Sequence, residues 1–90
     1  TQAATEAPRF ATFDFPSSWE PHERQPGVLR LEQSLDESIG DELRARGHAV
    51  EPWPERTWTA GSLSLIEYDP GSGQMAAGSD PRREGHAIGW

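Results

Sequence analysis

The sequence contains no cysteine, which excludes disulfides, zinc–thiolate sites and thiol catalysis and leaves the compartment open. No apolar run approaches the length of a membrane span, and the first residues lack a basic-then-apolar signal pattern. Positive charge is scarce: 15 acidic against 8 basic residues give a net charge of −7, so nucleic acid and anionic membranes are not expected partners. Apolar residues are also few, 33 % of 90, with a mean hydropathy of −0.78. That limits the chain to one thin-cored domain, taken here as a single unit over residues 1–90. Four Trp, three Phe and one Tyr offset the shortage, because each can bury a large apolar area.

Recognisable chemistry is equally sparse. His22, His48 and His86 stand far apart in sequence without ligand spacing, so no metal site is expected. GSGQMAAG lacks the lysine of a phosphate loop and reads as a turn entering a strand; no cofactor is expected. No motif marks a serine as nucleophile. The acidic residues of DESIGDE read as a solvated helix face.

What is present is a sequence of short elements. RFATFDF, residues 9–15, alternates Ala11, Phe13 and Phe15 with polar residues, the period of a half-buried strand stopped by Pro16. Residues 17–27 form a polar, proline-bearing loop in which Trp19 is a candidate anchor. VLRLE, residues 28–32, places Leu29 and Leu31 on one strand face. The spacing of Leu35, Ile39 and Leu43 predicts a helix over about residues 35–46, with Ser34 and Glu37 as a capping box and Gly47 as its stop. Gly40 in its middle suggests close packing against a sheet. A short strand is expected at 48–51, followed by a proline-broken connector. SLSLIEYD, residues 62–69, is apolar on both faces, as an interior strand would be. PGSG then turns the chain into an antiparallel return, QMAAGSD.

Taken in order, Ala7-Pro8-Arg9-Phe10, Leu31-Glu32, Gly47-His48-Ala49-Val50 and Ser79-Asp80-Pro81-Arg82, with Trp90 last, the chain resembles the C-terminal end of the γ-glutamyltransferase family, which includes cephalosporin-acylase-like enzymes. The resemblance covers nearly all residues. Trp90 where Tyr is commoner, and AGSLSLIEYD where the family more often has a Gly/Ala-Gln pair, mark a divergent branch.

The resemblance implies an α+β fold: the C-terminal part of an α/β/β/α N-terminal-nucleophile hydrolase sandwich, mostly antiparallel strands with one main helix. It implies a precursor that cleaves itself and an exposed threonine that attacks a γ-glutamyl amide, with backbone N–H groups stabilising the oxyanion. These parts are expected upstream. Thr1 is followed by Gln2-Ala3-Ala4 instead of the family pattern, and no Gly-Gly occurs; no catalytic residue is assigned to this chain. Expected partners are the large subunit and the upstream small-subunit residues, with self-association of the excised segment.

The positions singled out are Arg9, Asp80 and Arg82. Each arginine follows a proline that fixes its local backbone, and a guanidinium can tie several carbonyls or carboxylates at once. They are expected to brace the sheet without touching substrate, with Arg83 solvated and with Ile88 and Trp90 pinning the last segment. Two other readings stay open: a stand-alone interaction module, or part of an acylase or amidase acting on non-glutamyl amides.

Overall fold

Leu29 and Leu31 point the same way from one strand, and they are the two apolar side chains that become fully buried, at 8 % and 2 % exposure. The computed structural model describes all of residues 1–90, in two units: Pro8–Glu55, and Thr1–Ala7 together with Arg56–Trp90.

In the Pro8–Glu55 unit, the strand carrying these leucines, β2 (Gln25–Glu32), is the centre of a three-stranded sheet. On one side β1 (Phe10–Phe13) runs antiparallel to it; on the other β3 (Ala49–Trp53) runs parallel. Arg30 pairs with its neighbour Glu51 at 3.1 Å and lies over the Phe13 ring at 4.7 Å. Phe13 meets Trp53 edge to face, with centroids 6.4 Å apart. The strand expected at 48–51 thus extends to Trp53 and absorbs Pro52, which an edge strand tolerates because its outer N–H groups need no partner. Phe15 falls outside β1 and is exposed. Trp19 does not anchor its loop: it is 82 % exposed. The loop closes on its own backbone instead, through Ser17 N–H to Glu23 O at 2.8 Å and His22 N–H to Trp19 O at 2.7 Å.

The parallel connection is made by helix α2, continuous over residues 33–45 with a π turn at Asp36–Gly40. Its N-cap is Glu32. Ser34 lies inside the helix and gives both its N–H (2.9 Å) and its hydroxyl (3.1 Å) to Glu55, so the capping box does not form. The wider π turn breaks the i, i+4 register. Leu35 and Leu43 remain half-buried, Ile39 rotates towards solvent, and Gly40 takes the buried position. A Cβ there would overlap the Asp36 carboxylate and lie within 2.9 Å of the Arg44 guanidinium. These two form a 2.8 Å charge contact, out of line for a hydrogen bond. The helix ends as expected at Gly47, with φ of 98°. The N–H groups of Gly47 and His48 cap Arg44 O and Leu43 O at 3.0 and 3.1 Å, the paired bonds of a Schellman motif.

In the other unit, β4 (Ser64–Tyr68) and β5 (Met75–Ser79) form an antiparallel hairpin. Helix α1 (Gln2–Glu6), unmarked by any pattern in the sequence, lies against β5. Gly78 permits that approach: a Cβ there would meet Thr1 O at 3.1 Å and Gln2 Cα at 3.2 Å. β4 has one strand partner instead of two, and Ile66, Tyr68 and Met75 are largely exposed. Ile88 and Trp90 are 78 % and fully exposed within this segment.

Asp69 organises the hairpin turn. Its carboxylate accepts the Ser72 hydroxyl at 2.6 Å and the Gly71 N–H at 2.9 Å, while Gly73 takes φ of 73°. The Ser72 hydroxyl, then the Gly71 N–H, hold the Asp69 carboxyl below its ordinary value of 3.8.

Two outcomes are expected. Gly-to-Ala in a helix normally gains about 1 kcal/mol, but Gly40→Ala must displace Asp36 from Arg44. In urea melts the substitution should be neutral or destabilising in the wild-type chain and stabilising by about 1 kcal/mol in an Asp36→Ala background; equal effects in both would deny the coupling. For Asp69, a depressed carboxyl contributes stability above its unfolded value and loses it as pH falls through the lower folded value. An NMR titration should place the Asp69 midpoint below 3.8, and Ser72→Ala should move it upward.

Candidate functional site

Polar burial in the Thr1–Ala7 and Arg56–Trp90 unit converges on the residues after β5. Asp80 is 1 % and Arg82 4 % exposed, and their side chains are wholly covered. Pro81 between them sets the turn that brings both inward. Asp80 Oδ1 accepts the Arg82 backbone N–H at 2.9 Å and its Nη1 at 3.1 Å. Asp80 Oδ2 accepts the Leu63 N–H at 3.1 Å, and Asp80 N–H returns a bond to Leu63 O at 3.1 Å. The aspartate thus closes the open end of the β4–β5 hairpin.

Arg82 carries the connection onward. Nη1 also donates to Thr5 O at 3.1 Å, and Nη2 donates to Ala7 O at 2.9 Å. Those carbonyls lie at the end of α1, where a helix has no internal donors left. Planar donors in fixed directions can serve a carboxylate and two carbonyls together, which a lysine cannot do.

Thr5 and Gln2 complete the arrangement, and sequence reasoning missed both. Thr5 is fully buried, with its hydroxyl donating to Gln2 O at 2.7 Å. The Gln2 carboxamide accepts Ser79 N–H at 3.2 Å and donates to Ser79 O at 3.0 Å. A short polar QAATE segment carries no signal for this, because its partners lie more than 70 residues away. Arg83 is not simply solvated: its guanidinium stacks over the exposed Trp58 ring at 4.0 Å.

Arg9 belongs to the Pro8–Glu55 unit, separately from Asp80 and Arg82. There its backbone N–H donates to Glu32 Oε2 at 2.9 Å, and Glu32 N–H donates to Arg9 O at 2.9 Å. Glu32 is completely buried at the junction of β2 and α2. Its place beside Leu31 was visible in sequence; its burial was not, since it follows the inward Leu31 and alternation would turn it outward. The three histidines do not assemble, and no group of three or more His, Asp or Glu residues could hold a metal. No helix is long and apolar enough to cross a membrane. The arrangement in both units is one of buried charges tying backbone segments.

The family model for gamma-glutamyltranspeptidase matches residues 1–90. Two solved structures of LmbA2991 superpose with a TM-score of 0.80 at 36 % identity, over 89 % of this chain and 13 % of theirs. The cephalosporin acylase from Bacillus halodurans superposes with a TM-score of 0.75 at 27 % identity, over 99 % of this chain and 14 % of its own. Among curated proteins none matches. The α+β arrangement, antiparallel in two of its three strand pairings, is the C-terminal part of an N-terminal-nucleophile hydrolase fold. The chain belongs to the γ-glutamyltranspeptidase family, and it spans only 13–14 % of the length of these solved relatives.

Arg82→Ala should cost about 3 kcal/mol or more in urea melts, because it strips a buried carboxylate of its guanidinium and two carbonyls of their donors. Arg82→Lys should recover less than half of that. Arg83→Ala, which loses an exposed ring contact and a long 3.5 Å bond to Trp58 O, should cost less than about 1 kcal/mol. Coincident melts for Arg82→Ala and Arg83→Ala would deny Arg82 any special weight.

Proposed function

We propose that this chain is the non-catalytic C-terminal segment of a γ-glutamyltransferase-like enzyme. In this reading the complete enzyme hydrolyses or transfers γ-glutamyl groups from glutathione-like substrates, through a threonine freed by self-cleavage upstream of Thr1. The observation that carries the reading is a family match across residues 1–90 in a chain that spans 13–14 % of its solved relatives. Asp80 and Arg82 would then act as braces. They hold α1 to the β4–β5 hairpin, and Arg9 holds the start of β1 to the end of β2. None of them offers a nucleophile or a general base in contact with one, as covalent amide chemistry needs.

A second reading within the same superfamily has its own support. The similarity to a cephalosporin acylase extends over 99 % of the chain, so a parent acting on non-glutamyl amides fits the same braces. Both readings assign the chemistry to residues outside this segment.

The 90-residue chain should release no product from a γ-glutamyl anilide above the buffer rate, whereas a longer polypeptide carrying the upstream threonine should. Turnover by the short chain would overturn the placement of the nucleophile. A long form that cleaves acyl side chains of cephalosporins but not the γ-glutamyl anilide would select the acylase reading.

A further inference from the structure

The β4–β5 hairpin has two outer edges, and the structure treats them differently. Leu63 and Asp80 are bonded to each other across the pair, as are Asp69 and Gln74. In an antiparallel ladder such bonds recur at every second residue. The alternate residues, Ser64, Ile66 and Tyr68 on β4 and Met75, Ala77 and Ser79 on β5, therefore turn their N–H and C=O groups outward.

On β5 the outward groups of Ser79 are already taken, both by the single side chain of Gln2. The carboxamide supplies one donor and one acceptor in the place where a neighbouring strand would supply a peptide group. Behind it, α1 is fixed by Arg82 and by the close approach at Gly78. A strand attempting to pair along β5 would have to displace this helix. α1 also touches β4, where the Thr1 hydroxyl donates to the Glu67 carboxylate at 2.7 Å, but no side chain takes the outward backbone groups of Ser64, Ile66 or Tyr68. The β4 sequence is apolar on both faces, and Ile66 and Tyr68 are 76 % and 60 % exposed beside the free edge. A free, apolar edge recruits another strand.

We infer that β5 is the terminal strand of its sheet, closed by Gln2 as a one-residue strand substitute, and that the sheet continues from β4. The occupant of the β4 edge is a strand from the polypeptide beyond these 90 residues. One observation favours it over a second copy: the relatives carry most of their length outside the matched segment. This rests on the chain being part of a larger enzyme, but not on the reaction that enzyme performs.

The test is amide hydrogen exchange on the longest polypeptide that contains the segment, at two protein concentrations. Ser64, Ile66 and Tyr68 should be protected equally at both, with Ala77 exchanging faster. Gln2→Ala should speed exchange at Ser79 by about fivefold, the equivalent of one ordinary hydrogen bond, and leave Ile66 unchanged. A protected Ala77 with an open Ile66 would mean that the sheet grows from β5, and would overturn the inference. So would protection of Ile66 that rises with concentration, which would make the occupant a second copy, or amides open on both edges. Turnover of any amide is read separately, so the loss of the catalytic reading would leave this pattern standing.

Discussion

An arginine and an aspartate with no solvent contact must find all of their partners inside the fold, and the Asp80–Arg82 pair does so by drawing three segments together. The carboxylate takes the Leu63 N–H at the mouth of the hairpin, and the guanidinium takes the carbonyls of Thr5 and Ala7. Without these bonds the charges would carry a large desolvation cost. With them, α1 acquires a C-terminal cap that its own sequence lacks. The packing at Gly78 and the Gln2–Ser79 bonds presuppose that α1 is already there. In a chain with so little apolar surface to bury, polar groups fixed in direction take over part of the task that a larger core would perform.

The second buried carboxylate follows a related plan with different means. Glu32 sits where β2 becomes α2 and accepts the N–H of Arg9, so the first residues before β1 and the strand–helix junction are held at one point. Both acids stand where a strand ends and both bind backbone N–H groups. Their contribution is to geometry: each fixes backbone segments at one point.

Sequence periodicity exposed the elements whose causes are local. Leu29 and Leu31 marked β2, PGSG marked the hairpin, and Gly47 marked the end of α2, because alternation, turn chemistry and positive φ all act over a few residues. The family likeness likewise came from short motifs in order. Features with distant causes stayed hidden. α1 owes its place to groups more than 70 residues away. The π turn arises where Gly40 leaves room for Asp36 and Arg44, and a plain 3.6-residue period conceals it. Trp19 looked like an anchor by residue type, yet its loop is satisfied by backbone bonds and leaves the ring in solvent. For Arg82 the preceding proline was readable, whereas its partners, two backbone carbonyls, leave no trace in composition.

The unit that holds Asp80 and Arg82 is assembled from the two ends of the chain, with Pro8–Glu55 lying between them in sequence. The contacts that complete it, such as Gln2 with Ser79, join residues 77 positions apart. Contacts of such separation require a long loop to close before they return any stabilisation. The intervening unit has its strands and helix adjacent in sequence and faces no such delay. Folding along this chain is therefore ordered by topology: α1 precedes the whole of Pro8–Glu55 in sequence, yet gains its partners at residues 79–82 only once that long loop has closed.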